Sequence, residues 1–218
     1  VRPATFVWCM GGTQHTVGSA NVRAYCTLGR AYGVIGTAGG GANIYRGHCN
    51  VQGATDMGLD VLNLPAYYGI AEGAWRHWAG VWGVSYEYML SRFPSKQFME
   101  LPGTPQSRWH DLALLPKGEI DQPDNLKAMI FWGHGANTQT RGPDTKKALD
   151  KVDTVVVIDP HPIQVAAMSD RKDGIYLLPA CTALEMDGSR TASNRSLQWG
   201  YKIVEPIFES KNDLEIMY

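Results

Sequence analysis

Three short apolar segments decide the fold of this chain: residues 126–135 read LKAMIFWGHG, residues 154–160 read TVVVIDP, and residues 175–179 read IYLLP. Each is rich in large apolar or β-branched residues and ends at a glycine or a proline, which is typical of buried strands. Helical patterns over residues 144–151 and 164–169 separate them. The alternating order predicts an α/β fold with a Rossmann-like parallel sheet and flanking helices.

Ligands of such sheets bind beyond the carboxyl ends of the strands. A carboxylate at the end of the second strand typically accepts hydrogen bonds from a ribose or a base edge. Two alternatives stay open: the glycines serve only a turn, and Asp159 caps a helix that begins near Ile163. The candidate residues at these ends are Gly133, His134, Asn137, Thr138, Asp159 and His161.

The start of the chain has the same order on a smaller scale. Residues 5–8 predict a buried strand, the glycines at 11–12 a turn, and residues 21–32 a helix that ends at Gly33. Residues 36–58 contain too many glycines for a stable helix or central strand. We therefore expect an irregular segment there, whose backbone approaches another group closely.

The middle of the chain gives weaker signals. Residues 85–92 predict a helix, and the tryptophans after position 70 predict part of the core. Residues 101–124 combine proline, glycine and mixed charge, which favours a surface connection.

Composition excludes several classes of protein. The 218 residues carry a formal net charge of −1, which does not favour nucleic acid as a partner. A stretch of about 18 apolar residues, as a membrane span needs, is absent, and the first residues do not resemble a signal peptide. The sequence does not begin with Met, and an apolar run lies at each end, at 4–10 and at 216–218. We therefore expect an internal fragment of a longer polypeptide.

The cysteines do not form a metal-binding pattern. Iron–sulfur clusters and structural zinc sites normally use closely spaced pairs, and none of the four cysteines lies in such a pair. We expect free, buried thiols, although disulfides stay open. The cysteines are Cys9, Cys26, Cys49 and Cys181.

Arg46, His15 and His48 are the candidate catalytic residues, because they lie in glycine-rich segments. An arginine fork binds a carboxylate through two hydrogen bonds and keeps its charge. Histidine exchanges protons near neutral pH. The alternatives are a surface or ion-paired arginine and hydrogen-bonded structural histidines.

Beyond these local patterns, the chain resembles the catalytic subunit of respiratory formate dehydrogenases, within the dimethyl-sulfoxide-reductase superfamily. The most specific segments are GTQHTVG at 12–18, AGGGAN at 38–43 and RGHCNVQGATDMG at 46–58. Further matching segments are LPA at 178–180, EMDG at 185–188, TASNRSLQW at 191–199 and EPIFESK at 205–211. The resemblance is strongest to periplasmic tungsten- or molybdenum-containing enzymes of sulfate reducers, and it spans essentially the whole chain.

This resemblance implies one part of a multidomain molybdopterin oxidoreductase that reversibly oxidises formate to carbon dioxide. The metal, Mo or W, is held by two molybdopterin guanine dinucleotides and by a selenocysteine or cysteine. That ligand and a 4Fe–4S cluster belong to an N-terminal part outside this sequence, so the isolated fragment is expected to be inactive. The implied partners are formate and carbon dioxide, an iron–sulfur electron-transfer subunit, a cytochrome, and other segments of the same subunit. The implied location is the periplasm.

The resemblance also assigns residues. Arg46 orients formate, His15 lines the same pocket, and His48 lies beside it. The strand-end residues of the Rossmann-like sheet hold a guanine nucleotide tail. The residues expected to approach the cofactor in the first part of the chain are Met10, Gly11, Gly12, Thr13, Gln14, Asn50 and Gln52.

The implied domain organisation has three parts. Residues 1–48 end one cofactor-binding α/β domain, residues 49–180 form a second Rossmann-like domain, and residues 181–218 connect to further parts. The alternatives are another superfamily member, such as a nitrate, polysulfide or arsenic-compound oxidoreductase, and a cofactor-binding module without turnover. The pairing of Arg46 with two histidines favours a small carboxylate substrate.

Overall fold

The computed structural model describes residues 3–136 and 140–218. The chain forms two compact units. The first contains Val1–Asp60, Pro65–Tyr67 and Ser189–Trp199, and the second contains Val61–Leu64, Tyr68–Gly188 and Gly200–Tyr218. The three-part domain division inferred from the sequence stays a prediction.

The strands and helices are short. The strands are β1 (Thr5–Trp8), β2 (Gly41–Ile44), β3 (Ala128–Trp132), β4 (Thr154–Asp159), β5 (Tyr176–Pro179), β6 (Gly188–Thr191) and β7 (Leu197–Gly200). The α-helices are α1 (Met10–Thr13), α2 (Gly18–Ala31), α3 (Val51–Asp56), α4 (Glu72–Val81), α5 (Tyr86–Leu90), α6 (Lys96–Met99), α7 (Trp109–Leu114), α8 (Gly142–Lys151), α9 (Val165–Met168) and α10 (Asp213–Met217). Single 3-10 turns cover Pro65–Tyr67, Gln106–Arg108 and Lys117–Glu119.

The sheet of the second unit confirms the predicted α/β fold. Its strands lie in the order β3-β4-β5 and are all parallel, with Trp132 opposite Ile158 and Ile158 opposite Leu178. Helices α8 and α9 connect them, within two residues of the predicted boundaries. No residue of β4 is exposed, because a strand in the middle of the sheet is covered on both faces, and this explains its uninterrupted apolar run. The edge strand β5 is exposed along its length, so the expectation of a buried strand is wrong there. The core around the sheet contains Trp109, Phe131, Leu149, Val155, Val157 and Val165.

The first unit contains a parallel pair, β1 and β2, with Trp8 opposite Ile44. Helix α2 follows β1 as predicted. It ends at Gly33, which has a left-handed φ of 62° and donates its N–H to the Arg30 carbonyl. A glycine at this position ends a helix without steric cost, which explains the agreement.

Three predictions for the first unit are wrong. The strand over residues 5–8 was expected to be buried, but Thr5 and Val7 of β1 are exposed. Residues 10–13 form the short helix α1 where a glycine turn was expected, and residues 36–58 contain β2 and α3 where an irregular segment was expected. The glycines of 36–58 mostly lie at the boundaries of these elements, so only Gly53 interrupts a helix interior. The predicted close approach does occur within the protein, since a Cβ at Gly40 would lie 2.5 Å from the Val34 carbonyl oxygen.

The prediction of a surface connection over 101–124 is also wrong. Helix α7 lies in this segment and buries Trp109, His110 and Ala113. The Trp109 ring packs edge-on against Phe131 of β3, with 6.0 Å between the ring centroids. Trp109 and Ala113, one turn apart on α7, thus complete the core beside the sheet. A helix of this length is too short to show a helical repeat of apolar residues in the sequence.

The aromatic segment after position 70 forms a second core only in part. Trp75 packs with Leu64 and Met99, and its indole N–H donates to the Met99 carbonyl at 3.1 Å. Trp82, by contrast, is 45% exposed. The predicted helix over 85–92 is present as α5, and the Ser85 hydroxyl caps it by accepting from the Tyr88 N–H.

All four cysteines are free thiols. The expectation that they are buried holds only for Cys181, whose burial raises the pKa of its thiol. Within the described residues, we find no helix that is both long and apolar enough to cross a bilayer.

Candidate functional site

The carboxyl ends of β1 and β2 bring the two candidate catalytic segments to one edge of the first unit's sheet. The Tyr45 N–H donates to the Trp8 carbonyl at 3.2 Å and extends the pairing to the last residue of β1. The chain leaves β1 toward α1 and His15, and it leaves β2 toward Arg46. Parallel strands end at the same edge, so the fold itself places these segments side by side.

Two side chains that follow α1 fold back onto it and form contacts with its residues. His15 Nε2 lies 2.7 Å from the Gly11 carbonyl oxygen, and Gln14 Nε2 donates to the Met10 sulfur at 3.2 Å. Because a carbonyl can only accept, Nε2 of His15 carries the hydrogen. The other ring nitrogen, Nδ1, is then the atom of neutral His15 that can accept a proton. Gly12 and Thr13 are the remaining residues of this segment. The space beside the Gly11 Cα is open, since an added Cβ would meet nothing within 4 Å.

Arg46 is half-buried and held in place by neutral groups. Its backbone N–H donates to the Ser193 hydroxyl at 2.9 Å. Its Nη1 donates to the Val51 carbonyl at 3.1 Å and to the Thr55 hydroxyl at 2.7 Å. Among the described residues, no carboxylate forms an ion pair with Arg46. The guanidinium lies close enough to Asp56 for its charge to help lower the pKa of that carboxyl, and it has N–H donors left for an anion at the sheet edge.

Asn50 and Gln52 are turned toward the protein in this structure. Asn50 has a left-handed φ of 63°, and its side-chain oxygen accepts from the Thr191 N–H at 3.1 Å. Gln52 donates to the Asp56 carboxylate at 2.7 Å and to the Tyr67 hydroxyl. Hydrogen bonds from Tyr67 and Gln52 lower the pKa of Asp56. Burial, followed by the contact with Asp56, raises the pKa of Tyr67.

Sequence reasoning missed several residues around Arg46, of which Thr55 and Ser193 form hydrogen bonds with it. Thr55, Asp56 and Tyr67 are close to it in sequence, and the helical spacing from Val51 to Thr55 was a usable signal. Ser193 left no such signal, because it lies 147 residues further along the chain. His48 is exposed, and its ring has no hydrogen-bond partner within the described part of the chain.

A second candidate region lies at the carboxyl edge of the second unit's sheet. Gly133 follows β3 with a left-handed φ of 61° and donates its N–H to the Ile158 carbonyl. The amide nitrogen of Gln106 lies 2.9 Å from Nε2 of His134. Asp159 ends β4, and one of its oxygens accepts from the His161 N–H at 3.0 Å. The predicted residues Asn137 and Thr138 lie outside the described residues.

The carboxylate of Asp159 does not cap α9. That helix begins after Gln164 without a side-chain cap, so the helix-cap alternative is wrong. The second carboxylate oxygen of Asp159 has no partner among residues 3–136 and 140–218. An acceptor at a strand end, beside a glycine whose added Cβ would meet nothing, fits the hydroxyl or amino groups of a nucleotide.

Within the described ranges, no cluster of three or more histidine, cysteine or acidic side chains is arranged to hold a metal ion. The polar groups of the two regions are an arginine, histidines, the Asp159 carboxylate and backbone N–H and C=O groups. An arginine suits an anion, and a carboxylate at a strand end suits a nucleotide.

Comparison with known proteins shows the family of this chain. The family described as Molybdopterin oxidoreductase matches residues 2–218. The nitrate-inducible formate dehydrogenase major subunit of Escherichia coli K12 is 28% identical over 99% of this chain and 25% of its own length. The formate dehydrogenase alpha subunit of Megalodesulfovibrio gigas is 30% identical over 94% of this chain and 23% of its own length.

The name of a third relative includes a cytochrome. The formate dehydrogenase 2 alpha subunit (cytochrome c-553) of Nitratidesulfovibrio vulgaris Hildenborough is 30% identical over 94% of this chain and 24% of its own length. The chain thus spans about a quarter of the length of these relatives. The match over nearly all of its residues shows that the chain belongs to the molybdopterin oxidoreductase family, among relatives of formate dehydrogenase catalytic subunits.

Proposed function

We propose that this chain forms part of the catalytic subunit of a formate dehydrogenase, which oxidises formate to carbon dioxide. The observation that carries the proposal is Arg46, a half-buried cation whose protein partners are all neutral. Formate is a small carboxylate, and a guanidinium binds such a group through two parallel hydrogen bonds. The formate dehydrogenase relatives support the same substrate.

Formate that becomes carbon dioxide releases two electrons and one proton. In the proposed site, Arg46 binds the carboxylate oxygens and thereby fixes the direction of the C–H bond. Nδ1 of His15 can accept the proton, since its Nε2 hydrogen is bound to the Gly11 carbonyl. His48, which is exposed, can pass a proton to solvent.

Two molybdopterin guanine dinucleotides with Mo or W, when bound, would supply the acceptor of the two electrons, and the reaction would be reversible. We propose that the residues of the α1 segment lie against a pterin. Gly133, His134, Asp159 and His161 hold a guanine nucleotide tail, because Asp159 offers an unused acceptor at the end of a parallel strand.

The proposal extends to the whole enzyme. The metal's protein ligand and a 4Fe–4S cluster would lie in other segments of the same polypeptide, so this chain alone would not turn over formate. Electrons would pass to an iron–sulfur subunit and on to a cytochrome, as the name of the Nitratidesulfovibrio vulgaris relative suggests for that protein. A periplasmic location follows the sequence resemblance to periplasmic enzymes.

The test uses the complete subunit, purified with its cofactors. Metal and selenium content would be measured by mass spectrometry, and formate-dependent reduction of a viologen dye would be compared with viologen oxidation by nitrate or polysulfide. We expect formate oxidation at a rate that follows Mo or W content. Turnover of nitrate or polysulfide without turnover of formate would contradict the proposal.

A further inference from the structure

Helix α3 contacts one nitrogen of the Arg46 guanidinium at two atoms. Nη1 donates to the Val51 carbonyl at 3.1 Å and to the Thr55 hydroxyl at 2.7 Å. The Thr55 hydroxyl donates its own hydrogen to the same Val51 carbonyl at 2.8 Å. A hydroxyl that donates once still has lone pairs to accept with, so the three contacts are compatible.

The remaining donors of Arg46 define one free edge. A guanidinium has five N–H donors, one on Nε and two on each terminal nitrogen. A carboxylate can bind two of its nitrogens at once, either Nη1 with Nη2 or Nε with Nη2. Because α3 already engages Nη1, we assign the substrate carboxylate to the edge formed by Nε and Nη2. Nε and Nη2 have no hydrogen-bond partner in the described ranges of the chain.

We propose that Thr55 is a positioning residue that holds Arg46 so that its Nε and Nη2 edge binds the substrate carboxylate. This inference rests on the proposed function, in which Arg46 binds formate. Thr55 acts through Arg46 and does not itself contact the substrate. Its hydroxyl restricts rotation of a long, flexible side chain, so less conformational freedom is lost when the carboxylate binds.

The structure argues against a purely local role for the Thr55 hydroxyl. A threonine in a helix often donates to the carbonyl four residues earlier, and Thr27 of α2 does so with the Arg23 carbonyl at 2.8 Å. Thr55 makes the same bond and in addition accepts from a charged donor. Thr27 is therefore a matched control, with the same helical contact and no arginine on its hydroxyl.

The test compares three variants of the complete, metal-loaded enzyme. Thr55→Val removes the hydroxyl and keeps the shape, Thr55→Ser keeps the hydroxyl, and Thr27→Val removes only the helical contact. A hydrogen bond to a charged group is worth enough to change affinity about tenfold or more. We expect Thr55→Val to raise the formate KM about tenfold with a smaller effect on kcat, and the other two to stay within about threefold of the parent.

Arg46→Ala and the double variant Arg46→Ala/Thr55→Val separate the inference from the proposed function. If Thr55 acts through Arg46, the double variant is no worse in formate KM than Arg46→Ala alone. A further loss in the double variant, or a Thr55→Val enzyme equal to the parent while Arg46→Ala loses affinity, would overturn the positioning role alone. Unchanged formate kinetics in Arg46→Ala would overturn the proposed function itself. The double-variant comparison stays decisive if Thr55→Val lowers the unfolding temperature.

Discussion

The side-chain oxygen of Asn50 lies directly over the backbone of Gly53. A Cβ added at Gly53 would be 2.1 Å from that oxygen and 3.3 Å from the Thr191 hydroxyl. The same Asn50 oxygen accepts the Thr191 N–H, so the absence of a side chain at 53 lets residues 189–199 pack on the Arg46 segment. The sequence Asn-x-x-Gly at 50–53 thus has a steric explanation.

We predict that Gly53→Ala destabilises the protein, although alanine favours helices over glycine. The added methyl displaces Asn50 and leaves the Thr191 N–H without its acceptor. Crowding and an unpaired donor each cost about 1–3 kcal/mol. Denaturant unfolding measures the change. Gly73→Ala on α4 is the control, because a Cβ there meets nothing within 4 Å and should be neutral or stabilising.

Replacing Arg46 tests the anion site. Arg46→Ala should raise the formate KM strongly and lower turnover, because losing a desolvated charge-assisted pair costs about 2–5 kcal/mol. Arg46→Lys keeps the charge but loses the two-pronged geometry, so an intermediate loss is expected. Steady-state kinetics at equal metal content measures both. Formate kinetics equal to the parent in either variant would contradict the assignment.

Replacing Asp159 tests the nucleotide site. Asp159→Asn keeps an oxygen for the His161 N–H and removes the charge, whereas Asp159→Ala removes both. We expect both variants to retain less cofactor and Asp159→Ala to retain the least. Guanine nucleotide released by acid measures retention, and turnover per bound metal should stay near the parent value. Full retention in Asp159→Ala would remove this residue from the site.

The two histidines are tested by the pH dependence of formate oxidation. His15→Asn and His48→Asn would be compared with the parent at matched metal content. A shifted acidic limb with reduced rate is expected if an imidazole receives the proton. A parallel drop at every pH would assign the residue to positioning instead. An unchanged profile and rate would exclude that histidine from the reaction.

The stability of the second unit should depend on the ionised form of Glu185. This buried carboxylate accepts the Thr182 N–H at 2.7 Å and the Ile207 N–H at 3.2 Å, and the contact with Thr182 is the main reason that the pKa of Glu185 is lowered. A lowered folded pKa adds stability above the unfolded pKa of about 4.3, which disappears as pH falls through the folded value.

Glu185→Gln should therefore lower the unfolding temperature at neutral pH, with a difference from the parent that narrows below about pH 4. Thermal unfolding followed by circular dichroism at several pH values checks this. Glu205→Gln is the matched control, because Glu205 is exposed and its ion pair with Lys202, at 2.8 Å, lies at the surface. A pH-independent difference for Glu185→Gln would show that the loss of one acceptor oxygen, and not of the charge, causes the change.

The amino-acid sequence by itself determined the parallel sheet of the second unit. Runs such as 154–158 are apolar on both faces and end at a glycine or proline, and this local pattern fixes strand, direction and boundary. The same reasoning placed Asp159 at a strand end and Gly33 at a helix end. It failed at α1, α3 and α7, because each is a few residues long and depends on packing more than on helical periodicity.

Only the tertiary structure decided how Arg46 is held. The Thr55 hydroxyl contacts it from the next helix, and Ser193 reaches its backbone across 147 residues of sequence. Such contacts depend on two short parallel strands ending at one edge and on a glycine that lets a distant segment pack closely. A local sequence pattern records the propensity of each segment, whereas the partner of a side chain is set by chain segments that meet only after folding.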